Sequence, residues 1–337
     1  MLRNYWPTSE WQAVDPASVG FNIEKLSAIE PKIKSEYSNI NGIIVVRNGF
    51  IAYEKYFNSN GPDNAHHVTS VTKSILSALI GIAIDAGYIK DVDQKVLEFF
   101  PEYAPEADEK QKREITIRHL LTMTAPYPFA DWNEPLDQLC MQPDWVKYTL
   151  DMLGQQGSVG AFKYCTAGAH LLSVIITRST GQSAREFANE RLFKPIGMKE
   201  IPDYEMKSFE FEDLFGERVK GWVEDPTGHS TGGWGLTLNP RDMARFGYLY
   251  LNCGLWNDNQ IISRQWIAES TAINPNNYGY LWWLREEDGL FTYSAVGDGG
   301  NIICCIPEKD LVVAIASEFI IDPKDQWSLI KEYILPN

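Results

Sequence analysis

At 337 residues the chain is long enough for two lobes or one large domain, and its 44% apolar and 22% charged residues are those of an ordinary globular protein. Its 30 basic and 45 acidic residues leave a net charge of −15, which argues against a nucleic-acid partner and against an anionic membrane surface. The five cysteines (Cys140, Cys165, Cys253, Cys304, Cys305) are odd in number, scattered and without a C-x-x-C pair, so neither a disulfide framework nor a zinc site is indicated.

The N-terminus from Met1 to Pro7 carries no apolar signal segment, and no uncharged apolar run approaches the roughly 20 residues of a membrane span. A cytoplasmic protein is the expectation. After an irregular entry, a helix is predicted around Ile23–Ser35. Gly42–Arg47 and Phe50–Lys55 flank Asn48-Gly49, the strongest short signal for a hairpin. Around Ser70 begins a second helix, apolar on nearly all sides (Ile75, Leu76, Leu79, Ile80, Ile82) and stopped near Gly87; a helix apolar all round is a buried one.

From Asp91 to about Ser230 the pattern is helical and loop-rich. Helices are predicted from Ile115, over Ala167–Thr180 before Gly181, and over Ala184–Phe193 before Pro195. Thr124–Pro143 is a Pro- and aromatic-rich loop suited to wall a cleft. Beyond Gly232, helices are predicted at Pro240–Tyr250 and Ser263–Ser270, then strands at Phe291–Val296, Asn301–Ile306 and Leu311–Ala316. Connections as short as theirs impose antiparallel pairing. A helix over Asp325–Leu335 closes the chain. Strands at both ends with helices between predict an α/β (α+β) fold: one antiparallel sheet built from both chain ends, flanked by helices, with a mostly helical inserted lobe. The lobes are 1–85 with 232–337, and 86–231, and the site is expected at their interface.

Several motifs compete for the chemistry. The histidines (His66, His67, His119, His170, His229) form no H-E-x-x-H or related pattern, so a metal site is not expected. Gly228-His229-Ser230-Thr231-Gly232 spells G-x-S-x-G, but lacks the preceding apolar strand and following helix of a nucleophile elbow, and no histidine follows it. It reads as a Gly-rich turn. The pattern S-x-x-K occurs twice. Ser328–Lys331 sits in the terminal helix as a solvated face, whereas Ser70–Lys73 opens the buried helix, with both side chains on one face. A serine at a helix N-terminus is placed to have a developing oxyanion stabilised. A lysine carried into a desolvated environment can serve as a base. Taken alone the pair is equally consistent with a satisfied buried lysine.

Downstream segments carry a resemblance. Tyr164-Cys165-Thr166-Ala167-Gly168 opens an apolar helix, Glu190–Met198 follows, and Gly232-Gly233-Trp234-Gly235-Leu236 precedes Arg241–Gly247. In this order, with Val45–Gly49, Ile115–Thr122 and Tyr278–Trp283, they resemble the serine β-lactamase and penicillin-binding-protein superfamily. The branch they resemble most is that of class C β-lactamase-like esterases and 6-aminohexanoate-dimer-type hydrolases. The resemblance implies Ser70 as the acylated nucleophile, Lys73 as its activating base and Tyr164 as the tyrosine of the Y-x-N motif.

Three departures accompany it. Thr166 replaces the asparagine, and Ala125-Pro126 stands where related chains have Ser-Gly. The place of the third motif, usually K-T-G or H-x-G, falls near Thr292-Tyr293-Ser294 without Lys or His. Ala295 would then join Ser70 in offering oxyanion-hole N–H groups, and Thr166, Tyr293, Ser294 and Trp234 would contact substrate. The expected function is a serine hydrolase acting on a small ester or amide without a cofactor. The alternatives are a β-lactamase or D-Ala-D-Ala carboxypeptidase and, in another class, a catalytically inactive ligand- or peptide-binding member.

Overall fold

The computed structural model describes residue 3 and residues 5–130, 132–216 and 218–335. Met1, Leu2 and Asn4 of the expected irregular entry, and Asp131 of the expected cleft loop, lie outside the described residues. In chain order the elements that position the site are helix α1 (Ile23–Glu36), strands β1 (Ile40–Arg47) and β2 (Phe50–Tyr56), and helices α2 (Val71–Asp85), α3 (Thr166–Thr180) and α4 (Pro240–Leu251). Strands β3 (Trp283–Glu287), β4 (Leu290–Gly297), β5 (Asn301–Ile306) and β6 (Leu311–Ser317) follow, then a closing helix that starts at Gln326 and ends in a wide turn at Ile334.

The six strands form one antiparallel sheet in the order β2-β1-β6-β5-β4-β3, so the N-terminal hairpin pairs with the last strand of the chain. Sheet and helices thus follow the sequence expectation, with β3 added as an unexpected edge strand. Asn48 and Gly49 both have positive φ (55° and 91°), the two-residue turn whose twist matches the strands it joins.

Strand alternation distributes the side chains between two cores. Ile44 and Val46 of β1, Ile303 and Cys305 of β5 and Val312 and Ala314 of β6 face α2 and α4. Their neighbours Ile43, Val45, Ile302, Cys304, Val313 and Ile315 face α1 and the closing helix, meeting Leu26, Ile29, Ile33, Leu329 and Ile334. Helix α2 is buried from Val71 to Ala83. Charged residues mark the outer strands: Glu54 and Lys55 on β2, and Arg285, Glu286 and Glu287 on β3. Such residues guard open edges. No helix among the described residues is long and apolar enough to cross a membrane.

Candidate active site

The chain enters α2 through a strained bend. His67 pairs with Thr237, and Val68 N–H donates to Leu236 O at 3.0 Å. Thr69 then takes φ 47°, a left-handed conformation that a β-branched residue seldom adopts. Two bonds hold it there: Thr69 Oγ1 donates to Asp298 O (3.1 Å), and Thr69 O accepts from Thr72 Oγ1 (2.7 Å). This bend sets Ser70 at the N-cap of α2, and Lys73 follows one turn later on the same face.

Lys73 is 1% exposed. Its Nζ lies 2.9 Å from Ser70 Oγ and donates to Gly233 O at 2.7 Å. The Tyr164 ring centroid lies 4.9 Å from the same Nζ, so the amino group faces the negative face of the ring. Tyr164 stands just before α3 in a set of near-parallel rings, with Trp132 at 5.2 Å and Trp283 at 5.7 Å.

Ser70, Tyr164, Trp132 and Trp283 open onto a cavity of about 530 Å³ that Thr292, Ser294, Val296, Arg285 and Lys324 also line. That volume suits a small organic ligand.

Residues far apart in sequence hold the Gly232–Gly235 segment in place. A Cβ on Gly233 would lie 2.1 Å from Thr166 Cγ2, and one on Gly232 2.2 Å from Ala169 O, so this close contact with α3 admits only glycine. Gly232 N–H donates to His170 Nδ1 (3.3 Å), and His170 Nε2 lies 2.9 Å from Asp225 Oδ2, both side chains being fully buried. On the other side Gly235 N–H donates to His67 Nε2 at 3.1 Å. Burial alone would raise the pKa of Asp225; the hydrogen bonds from His170 and His229 outweigh it and hold the carboxyl well below its usual range. Burial pushes the His67 imidazole down to about 3, which suits its acceptor role.

The structure brings Ser70, Lys73 and Tyr164 into one cluster and lines the adjoining cavity with Ser294. The other residues singled out from sequence lie apart from the cavity wall. Tyr293 is 4% exposed, its ring packed against Trp282 and Tyr250, because strand alternation turns it away from Thr292 and Ser294. Trp234 packs between Trp145 and Phe215. Thr166 is buried under Gly233. Ala295 is buried too, and the backbone beside the Ser70 amide is that of Gly297: a Cβ there would lie 2.2 Å from Thr69 Oγ1 and 3.1 Å from Ser70 N.

Sequence reasoning passed over Trp132, the His170–Asp225 pair and Glu134, and named Gly233 only within the Gly232–Leu236 run. Glu134 leaves the cleft loop to accept from Thr166 N and Ala167 N, each at 2.6 Å. Its burial raises its carboxyl pKa, opposed by those bonds and by the charge of Lys73. Ser230 of the G-x-S-x-G run is buried, with Ser173 Oγ on its carbonyl. Among the described residues no cluster of three metal-ligating side chains occurs.

Comparison with known proteins adds the lineage. Residues 36–319 match the β-lactamase family model. The 6-aminohexanoate-dimer hydrolase of Paenarthrobacter ureafaciens is 23% identical, over 99% of this chain and 88% of that protein. Among solved structures, the octameric penicillin-binding protein homologue from Pyrococcus abyssi superposes with a TM-score of 0.68 at 21% identity, covering 91% of this chain and 76% of the other. EstCE1, a hydrolase with promiscuous acyltransferase activity, superposes with a TM-score of 0.70 at 14% identity, covering 93% and 97%. At these identities the structural likeness concerns the fold.

Proposed function

Because the chain belongs to the β-lactamase family, we propose that it is a serine hydrolase that acylates Ser70 with a small ester or amide and then hydrolyses the acyl-enzyme. The site would lie between the sheet-bearing lobe (1–85, 232–337) and the helical lobe (86–231). The observation that carries the reading is the 2.9 Å approach of Lys73 Nζ to Ser70 Oγ beside the cavity.

Lys73, as the neutral amine, takes the Ser70 proton while Oγ forms a bond to the substrate carbonyl carbon. The resulting oxyanion is met by the Ser70 N–H at the head of α2 and by an N–H of the Gly297–Asp298 segment, which the contact with Ser70 N favours over Ala295. Collapse breaks the C–O or C–N bond to the leaving group, which receives a proton through Lys73 and Tyr164. Water then adds to the acyl carbon with the same groups accepting its proton; the acyl C–Oγ bond breaks, that proton passes to Ser70 Oγ, and the acid product leaves. The third-motif position lacks Lys and His, and with it the cation expected to bind a β-lactam carboxylate. This favours ester or amide substrates over β-lactams.

A panel of p-nitrophenyl esters, short amides and nitrocefin, with fluorophosphonate labelling located by mass spectrometry, tests the proposal. The expected result is labelling at Ser70 and ester or amide turnover, abolished in Ser70→Ala and Lys73→Ala and strongly reduced in Tyr164→Phe. Turnover of nitrocefin in preference to the esters would select the β-lactamase alternative. Folded protein that resists labelling would select the non-catalytic binding alternative.

A further inference from the structure

We propose that Glu134 is a positioning residue for the Ser70–Lys73–Tyr164 unit, and that its carboxylate must be ionised to do this. The inference rests on the acyl-enzyme reading above. Helix α3 begins at Thr166, directly after Tyr164 and Cys165, and the first amides of a helix have no intrahelical acceptor. Glu134 fills that need from another part of the chain. Its two oxygens accept separately, Oε2 from Thr166 N and Oε1 from Ala167 N, each at 2.6 Å. The Thr166 hydroxyl is a further hydrogen-bond partner. Cys165 Sγ, 3.8 Å from Oε1, caps the same turn by accepting from Gly168 N at 3.2 Å.

The arrangement has two consequences. First, Tyr164 is fixed from both sides: by its ring contacts with Trp132 and Trp283, and by the anchored turn that follows it. Second, protonation weakens the anchor. A carboxylate presents two charged acceptors to the two amides, whereas a carboxylic acid turns one oxygen into a hydroxyl, a poorer acceptor whose own proton needs a partner in a buried place.

The groups facing Glu134 are Lys73 from α2, Cys165 beside Tyr164, Tyr127 from the cleft loop and Cys140 from the short helix Leu136–Cys140. Burial, with the Glu134 charge as a lesser cause, keeps the thiols and the phenol neutral, Cys140 being pushed up to about 12. Lys73 is therefore the member of this set whose positive charge would favour the carboxylate. Burial moves the Glu134 carboxyl upward from its usual range, so the anchor is lost on acidification earlier than an exposed glutamate would be.

Glu134→Gln imitates the protonated state at every pH, since its amide nitrogen can only donate. The test is the pH dependence of kcat and KM for an ester the wild type hydrolyses. Wild type should show an acid limb. Glu134→Gln should turn over on the order of 100-fold more slowly at neutral pH, as expected for a reacting group displaced by about an ångström, with KM changed less than threefold. The part of the acid limb that Glu134 contributes should be absent, leaving only the fall that protonation of the base Lys73 imposes on both proteins, and Glu134→Asp should restore activity in part. Thr166→Val, which removes one donor to the carboxylate and preserves shape, should move the acid limb to higher pH. It carries the test if Glu134→Gln does not fold.

An unchanged acid limb in Glu134→Gln, or in Thr166→Val where Glu134→Gln cannot be purified folded, overturns the inference whatever happens to the rate. Ser70→Ala separates the two proposals. An inactive Ser70→Ala beside an unaltered Glu134→Gln profile rejects the positioning role alone, and an active Ser70→Ala rejects both.

Discussion

Replacing Asp225 with alanine removes the acceptor on which a buried part of the site is built. Asp225 Oδ1 accepts from Thr227 N and Thr227 Oγ1 at 2.8 Å and from His229 N at 2.9 Å, while Oδ2 faces His170 Nε2 at 2.9 Å. In Asp225→Ala the N–H of the neutral His170 ring is left without a partner in a fully buried position, which costs about 1–3 kcal/mol. Unfolding entropy of about 2.1 cal/mol/K per residue gives roughly 0.7 kcal/mol/K for this chain. The loss then corresponds to a Tm lowered by about 1–4 °C.

The pH dependence has a fixed sign. The folded carboxyl titrates below its unfolded value of about 3.9, so its contribution is fully present above that value and fades as pH falls further. Calorimetric or circular-dichroism melts of wild type, Asp225→Ala and Asp225→Asn should therefore show a constant gap from pH 8 to 5 that narrows below pH ~4. Asparagine, which keeps one acceptor, should fall between the other two. A Tm change below ~1 °C in Asp225→Ala, or a gap that widens in acid, would refute the assignment.

Further outcomes follow from other contacts. Gly297→Ala puts a Cβ 2.2 Å from Thr69 Oγ1 and 2.3 Å from Val68 O, so the backbone beside Ser70 must shift. Ester kcat/KM should fall on the order of 100-fold, and retention of half the wild-type value would count against this geometry. Trp132 is 65% exposed yet stacked on Tyr164. Trp132→Ala should raise KM for aromatic esters about 2–10-fold while leaving Tm nearly unchanged, and a large Tm loss would contradict it. His67 is neutral in the fold and takes a proton more readily when unfolded, so stability should decline from pH 6.5 toward about 3. The slope should reach about 1.4 kcal/mol per pH unit. Urea midpoints at pH 7 and 5 should draw closer in His67→Gln; an unaltered difference would refute the assignment.

Much of the framework was legible in the sequence, because local signals agreed with the fold. Asn48-Gly49 between β-branched runs specified the N-terminal hairpin, and the all-round apolar character of α2 marked it as central. Strand β3 escaped notice although Asp288-Gly289 joins it to β4 with both φ values positive (54° and 75°), since Arg285, Glu286 and Glu287 obscure its alternation. The choice of Tyr293 over Thr292 as a cavity residue shows a different limit. A one-residue change of face is invisible until the partner strand is known. Glu134 and Asp225 lay further out of reach: each acts on backbone or imidazole groups tens of residues away, and no local pattern marks such a contact.

The cleft loop combines two roles in a few residues. Trp132 forms part of the cavity wall, and Glu134 ties down the first turn of α3. Under the proposed function, selectivity and turnover are therefore not separable modules in this chain. Grafting a loop from a relative to alter substrate range would also exchange the clamp on the tyrosine, and libraries randomised across this segment would change rate and preference together. An engineer seeking a new substrate would do better to keep Glu134 fixed and vary other residues that line the cavity, such as Arg285 and Lys324.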